Sequence, residues 1–351
     1  MKTELITNAI RDEIVTGKYR PEDKLPIRKE LMKLHDASKG TVQVAISKLI
    51  KEGFLESRGV MGMRVCENPP HLSRYGIAVP YNKEANDSSW DNFWSIFIRS
   101  AGQFKSRNEV DFKYYYGLLD DEKNVSEQIF EDINKRRIAG LILLGHQKLP
   151  NNLFRKFYST STLIFSFEEF DNSNLKQIWF DYYSLIRKSV EYLVGKGRKN
   201  IALITNTEMP SEYIVSFSKN VKEFGAISHP EWIQGACLCK LGLPWAVNTT
   251  RLLFSENQKS RPDGIIILNE NLAGYVMHTL ADKHIMAGKD IEVVSHCNFP
   301  SHGISPSNVK RIGFSSEDCL LKVIEMFSPD VKNKIPLKRA QIEPVWENHI
   351  D

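Results

Sequence analysis

The chain has 351 residues, 42% hydrophobic and 26% charged, which suits a globular protein of two or three domains and excludes long disorder. No apolar run approaches the ~18 residues of a membrane span, and the first residues lack a signal-peptide core, so a soluble cytoplasmic protein is expected. The net charge of +4 is uneven: residues 1–74 hold 14 Lys/Arg against 10 Asp/Glu, and the remainder holds 33 of each. Excess positive charge at the amino terminus points to an anionic partner there.

Leu5, Ala9, Ile10 and Ile14 recur at helical spacing and predict a first helix over residues 3–16, stopped by Gly17. Pro26 opens a second helix with Leu31 and Leu34 on its buried side, and Asp36-Ala37-Ser38 breaks it. Ser38 suits the N-cap of a third helix whose apolar face is Val42, Ala45, Ile46 and Leu49, ended by Gly53. Short strands are predicted at residues 54–56 and 63–65 around Gly59 and Gly62. Three helices and a hairpin make a winged helix-turn-helix, whose third helix can enter a major groove. Ser38, Lys39 and Thr41 lie in that helix's first turn, where backbone N–H groups favour a phosphate. Gln43 can reach a base edge and suits adenine N6/N7. Lys29, Arg58 and Arg64 would add phosphate or minor-groove contacts.

The order Gly17-x3-Pro21-x-Asp23-Lys24-Leu25-Pro26, Glu30-Leu31, Ser38-Lys39-x-Thr41-Val42, Ala45-Ile46, Leu49 and Glu52-Gly53-Phe54-Leu55 resembles the GntR winged-helix signature. It departs at Lys29, Lys39 and Gln43, where that family usually has Arg, and in a wing one residue longer than Gly-x-Gly. The resemblance implies binding of double-stranded DNA by residues 1–68. Residues 69–74 form the linker, which Pro69-Pro70 should hold extended.

From Tyr75 to the end, short apolar strands alternate with helices. Strands are predicted at residues 77–79, 112–116, 138–144, 163–165, 178–181, 200–204, 264–268 and 291–294. Helices are predicted at 94–106, 126–135, 154–158 and 184–196, with others between the later strands. The fold class is α/β with parallel sheets, in two lobes because the segment is long. Asp181 before a helix, Lys196-Gly197-Arg198-x-Asn200-Ile201-Ala202-Leu203-Ile204, Arg261-Pro262-Asp263-Gly264, Asn269-Glu270, Gly288-x-Asp290-Ile291 and a last strand at Ile342-Glu343-Pro344-Val345-Trp346 resemble the LacI/GalR effector domain. That implies a periplasmic-binding-protein-like pair of lobes over residues 75–351. It also implies a small molecule in the cleft and three crossings between lobes, near Ile178, Cys297 and Gly313. A GntR-type head on such a body is similar to the AraR-like repressors, which implies a homodimer on a pseudo-palindromic operator.

Aromatic faces and amide or carboxylate groups suit a sugar. The resemblance places Trp90, Asp91, Phe93 and Trp94 on a cleft wall, Trp245 near a ligand-stacking Trp, and Asn269 on a ligand-contacting Asn. Asp181 lies near a crossing. Tyr213 stands where many sugar-binding relatives have Arg, and Ser295-His296-Cys297 where they have Gly-Tyr-Asp or Gly-Phe-Asp, so that either Asn298 supplies the missing polar contact or the ligand differs. The five cysteines, Cys66, Cys237, Cys239, Cys297 and Cys319, are odd in number and scattered, which points to reduced thiols and no zinc site. No Walker A motif, nucleophile elbow, H-E-x-x-H or G-x-G-x-x-G occurs, so neither catalysis nor a cofactor is expected. An architectural DNA-binding protein with a ligand-free scaffold is the alternative reading.

Overall fold

The structure, a computed structural model, describes residues 2–59, 62–81, 92–105, 109–145, 157, 161–167, 169, 176–207, 209–237, 243–301, 308–327 and 338–349. The head consists of α1 (Lys2–Val15), α2 (Arg28–Leu34), α3 (Lys39–Glu52), β1 (Leu55–Ser57) and β2 (Met63–Val65). Ile6, Ile10 and Ile14, four residues apart, form one stripe of α1 and pack on Val42, Ala45, Ile46 and Leu49 of α3. Ser38 begins α3 by accepting the Thr41 N–H at 3.2 Å, and Gly53 ends it at φ 89°, a left-handed conformation that a side chain would strain. Leu34 is 61% exposed rather than buried. The chain turns at Asp36 (φ 44°), and Met32 and Ala37 fill the space around Leu31.

Behind the wing the chain does not run extended throughout. Pro69 is extended, and Pro70 then starts a single helical turn, α4 (Pro70–Ser73). Proline is tolerated at a first helical position because no partner is lost there. The Ser73 hydroxyl secures the turn on the Asn68 and Pro69 carbonyls at 2.9 and 3.1 Å.

The body contains β3 (Arg74–Val79), α5 (Asn92–Lys105), β4 (Asp111–Tyr116), α6 (Glu122–Asn134), β5 (Gly140–Leu144), β6 (Thr162–Ser166) and β7 (Lys176–Phe180). It continues with α7 (Tyr182–Gly195), β8 (Ile201–Asn206), α8 (Ser211–Glu223), β9 (Ile233–Ala236), α9 (Leu243–Leu253), β10 (Gly264–Ile267) and α10 (Glu270–Asp282). The last elements are β11 (Glu292–Phe299), β12 (Val309–Ser315), α11 (Ser316–Phe327), β13 (Arg339–Ile342) and β14 (Val345–Trp346). Except for Phe157, the helix expected over 154–158 lies outside the described residues.

Two six-stranded sheets result, in the orders β13-β7-β6-β5-β3-β4 and β14-β12-β11-β10-β8-β9. All pairs are parallel except β14 on β12. Central strands such as Gly140–Leu144 are buried along their whole length, as helices on both faces of a parallel sheet require. Each lobe therefore has the doubly wound order in which ligands settle beyond the carboxyl ends of the strands.

The chain passes between the lobes at Phe180–Tyr182, at Ser315–Ser316 and at residues 343–344. The first and second crossings lie close to the expected Ile178 and Gly313. The crossing expected near Cys297 is corrected, because β11 pairs with β12 in one sheet. The expected single last strand is two: β13 pairs with β7 of the first lobe and β14 with β12 of the second.

Candidate nucleic-acid interface and effector cleft

The first turn of α3 is exposed. Ser38 shares its hydroxyl with Thr41 (Oγ to Oγ1, 2.8 Å), so it holds the turn open-ended rather than projecting freely. Lys39 is exposed and pairs with no carboxylate among the described residues, as is also true of Lys29 on α2. Gln43 is half-buried and its Nε2 donates to Ser47 Oγ at 3.2 Å. The wing cations differ from these lysines. Arg58 donates to Glu22 at 2.6 Å and also to Glu56. Those hydrogen bonds, Glu56 first, raise its pKa. Arg64 donates to the Glu22 carbonyl at 2.6 Å. Both wing arginines are thus tied to the turn before α2. Val60 and Met61, at the tip, lie outside the described residues.

The carboxyl end of the same helix is anchored to the body. Glu52 is the last residue of α3, and its side chain is 8% exposed. Its carboxylate accepts from Arg11 of α1 and from Arg137, which follows α6, each at 2.5 Å. Its backbone carbonyl accepts from Arg74 at 3.0 Å, and Arg74 also donates to Asp111 at 2.9 Å. Arg137 reaches on to Asp132 at 3.2 Å, where Tyr115 donates at 2.5 Å and Lys113 pairs as well. Burial pushes the Asp132 carboxyl up, but Lys113, Tyr115 and Arg137 outweigh it and hold the group below its ordinary value. Burial opposes the Arg137 cation, and Glu52 and Asp132 more than compensate. A buried carboxylate between two arginines is strongly destabilised if either partner is removed.

The carboxyl ends of β7 and β12 meet between the lobes. Phe180 of the first lobe stacks on Phe314 of the second at 4.3 Å, and Tyr182, Tyr213 and His296 gather around them. Asp181 caps α7, accepting from Ser184 N at 2.9 Å and Ser184 Oγ at 2.6 Å. Asn269 caps α10 by accepting from Asn271 N at 3.0 Å. Asn298, at the end of β11, donates its backbone N–H and Nδ2 to Glu270 at 2.9 and 2.8 Å. His296 is buried with no hydrogen-bond partner on either ring nitrogen, and burial lowers its pKa to about 4.

The expected effector residues therefore fall into groups. Asn269 and Asn298 meet through Glu270. Asp181 and Tyr213 stand beside Tyr182. Phe93 and Trp94 pack with Phe165 and Phe167 in the first lobe's core. Trp245, in the first turn of α9, is 56% exposed. Trp90 and Asp91 lie outside the described residues. Glu270 stands in the sequence only as part of the Asn269-Glu270 resemblance, and Arg74 and Arg137 carry no sequence signal. Glu270 adjoins Asn269, whereas Arg137 is 85 residues from Glu52, so no local pattern marks that pair.

Residues 2–65 match the family model described as bacterial regulatory proteins, gntR family. The head is a GntR-family helix-turn-helix domain. Three solved structures share the body's fold. A regulatory protein of LacI family from Chloroflexus aggregans is 15% identical (TM-score 0.62), over 78% of this chain and 96% of that one. The Escherichia coli transcriptional repressor ascG is 10% identical (TM-score 0.60), over 78% and 97%. A LacI family regulator from Arthrobacter sp. FB24, in complex with lactose, is 13% identical (TM-score 0.60), over 78% and 97%. At these identities the fold is what is shared. No curated protein matches the chain. A GntR-family head on a LacI-like body is the architecture of a transcriptional regulator. Among the described residues no helix is long and apolar enough to cross a membrane. Nor is there a group of three or more His, Cys, Asp or Glu able to hold a metal. Among the described residues, Cys66, Cys297 and Cys319 form no disulfide.

Proposed function

We propose that the chain is a ligand-responsive, sequence-specific repressor that acts in the cytoplasm as a homodimer on a pseudo-palindromic operator. Residues 1–68 read DNA, 69–74 connect, and 75–351 sense the effector and dimerise. The observation that carries this is the dual position of α3. Its first turns carry Ser38 and Lys39 exposed and Thr41 and Gln43 half-buried, while its last residue, Glu52, is gripped by Arg137 of the first lobe. A shift of that lobe moves the reading helix. Lys29 and Lys39 supply phosphate contacts, and Arg58 and Arg64 brace the wing beside the duplex.

The effector is a small molecule held between the lobes, most simply a sugar. Asn269, Glu270 and Asn298 in one group, and Asp181 in another, supply carboxylate and amide groups suited to paired hydroxyls, and Tyr213 packs behind on Tyr182 and Tyr183. The fold relative bound to lactose supports the same class. The ligand alters DNA affinity only through different affinities for the open and closed bodies. No chemical step is needed, and we assign no catalytic residue.

Thermal melting of the full chain against a panel of mono- and disaccharides tests the reading. A ligand at a hundred times its Kd stabilises the body by about 2.7 kcal/mol, and Asn298→Ala removes that shift. A second reading, an architectural protein with a ligand-free body, is favoured by the Phe180–Phe314 stack between the lobes. It predicts a silent panel and an equally silent cell extract.

A further inference from the structure

Successive residues of a helix are about 100° apart. Opposite the buried Val42, Ala45, Ile46 and Leu49, α3 therefore presents Gly40, Gln43, Val44, Ser47 and Lys51. All but the half-buried Gln43 are exposed, and Val44 is 57% exposed. Valine at this place does nothing evident for the head. It belongs to none of the hydrophobic clusters of the described residues, and its β-branch lowers helix propensity slightly. The stripe around it carries no carboxylate and includes Lys51, with Lys39 on its flank, which suits a polyanion. A Cβ on Gly40 would meet nothing nearer than Ser38 Oγ at 4.0 Å, so the helix backbone can lie close to a groove wall. Gln43 is fixed beside Val44 by its bond to Ser47.

Base edges in a major groove offer donors and acceptors, and thymine alone adds an apolar group, its C5-methyl. We propose that Val44 is a specificity residue whose side chain packs on the C5-methyl of one thymine in each operator half-site. The inference rests on the DNA-binding reading above and deepens it.

The test starts from a duplex selected out of a random pool by the full-length protein. Each thymine is replaced in turn by deoxyuridine, which removes only the methyl, and binding is measured for wild type and for Val44→Ala. Circular dichroism checks the variant's fold. The expected result is one thymine per half-site whose replacement weakens wild-type binding about fourfold, the equivalent of one buried methyl at ~0.8 kcal/mol. The same replacement leaves Val44→Ala binding unchanged, and the variant equals wild type on the uracil duplex. Equal losses in both proteins, or no loss at any thymine, would overturn the proposal while leaving DNA reading intact. A protein that selects no sequence at all would overturn both.

Discussion

Lys39 lies exposed in the first turn of α3 without a carboxylate partner among the described residues, whereas Arg58 is held between Glu22 and Glu56. A phosphate can recruit Lys39 without breaking an existing bond, and Arg58 must leave two. Lys39→Ala should therefore weaken binding to all duplexes and reduce the salt slope by about one. Arg58→Ala should reduce it by less. Gln43→Ala should relax preference at one base pair, at about 1–3 kcal/mol, read from the site selected by each protein. His296 makes a different residue-scale prediction. Its folded imidazole resists the proton until about pH 4, and the unfolded chain takes it up near 6.5. Between those values the unfolded state binds more protons, so this stability is complete above 6.5 and is lost as pH falls toward 4. His296→Phe should flatten that stretch of the Tm–pH curve relative to wild type. An unchanged curve would show that the imidazole is hydrated in solution.

At the scale of elements, the caps and close approaches decide what the chain tolerates. Ser38→Ala removes the acceptor for the Thr41 N–H and should destabilise the head by ~1 kcal/mol, measured by urea unfolding. At Gly313 a Cβ would lie 1.7 Å from the Cys297 carbonyl oxygen, so Gly313→Ala should push β11 and β12 apart and leave the second lobe unfolded. Much of this level is legible in the sequence. Ile10 and Ile14 announce α1, although Leu5, read with them, is 65% exposed and Ile6 takes the buried place, and buried runs such as Gly140–Leu144 announce parallel strands. The end of the chain was harder to read. Ile342 and Val345 are separated by Glu343 and Pro344 alone, so two strands in two lobes read as one. Proline and glycine after β11 mark a break without telling a lobe crossing from a return to the same sheet. Asp181 is legible because it precedes a helix as a cap does, whereas Asn269 is marked by the family resemblance alone. Phe93 and Trp94 read as cleft residues by position, although their rings pack into the core.

On the scale of the molecule, the Arg11–Glu52–Arg137 bridge joins the head to the first lobe. Residues so far apart in sequence could be joined only by the folded structure. Arg137→Met should leave Glu52 with one cation and cost about 3–5 kcal/mol of junction stability. Calorimetry should then resolve a separate, lower-temperature transition of the head; a single unshifted transition would mean that the junction carries no coupling.

Sequence-specific, ligand-sensitive reading of DNA is the property on which the proposed function stands. A pull-down of genomic fragments with the full-length protein at physiological salt, with and without small-molecule cell extract, measures it directly. A ligand-responsive regulator should enrich a few sites sharing a pseudo-palindrome, with an occupancy that the extract changes. Uniform recovery that disappears with modest salt and ignores the extract would contradict it.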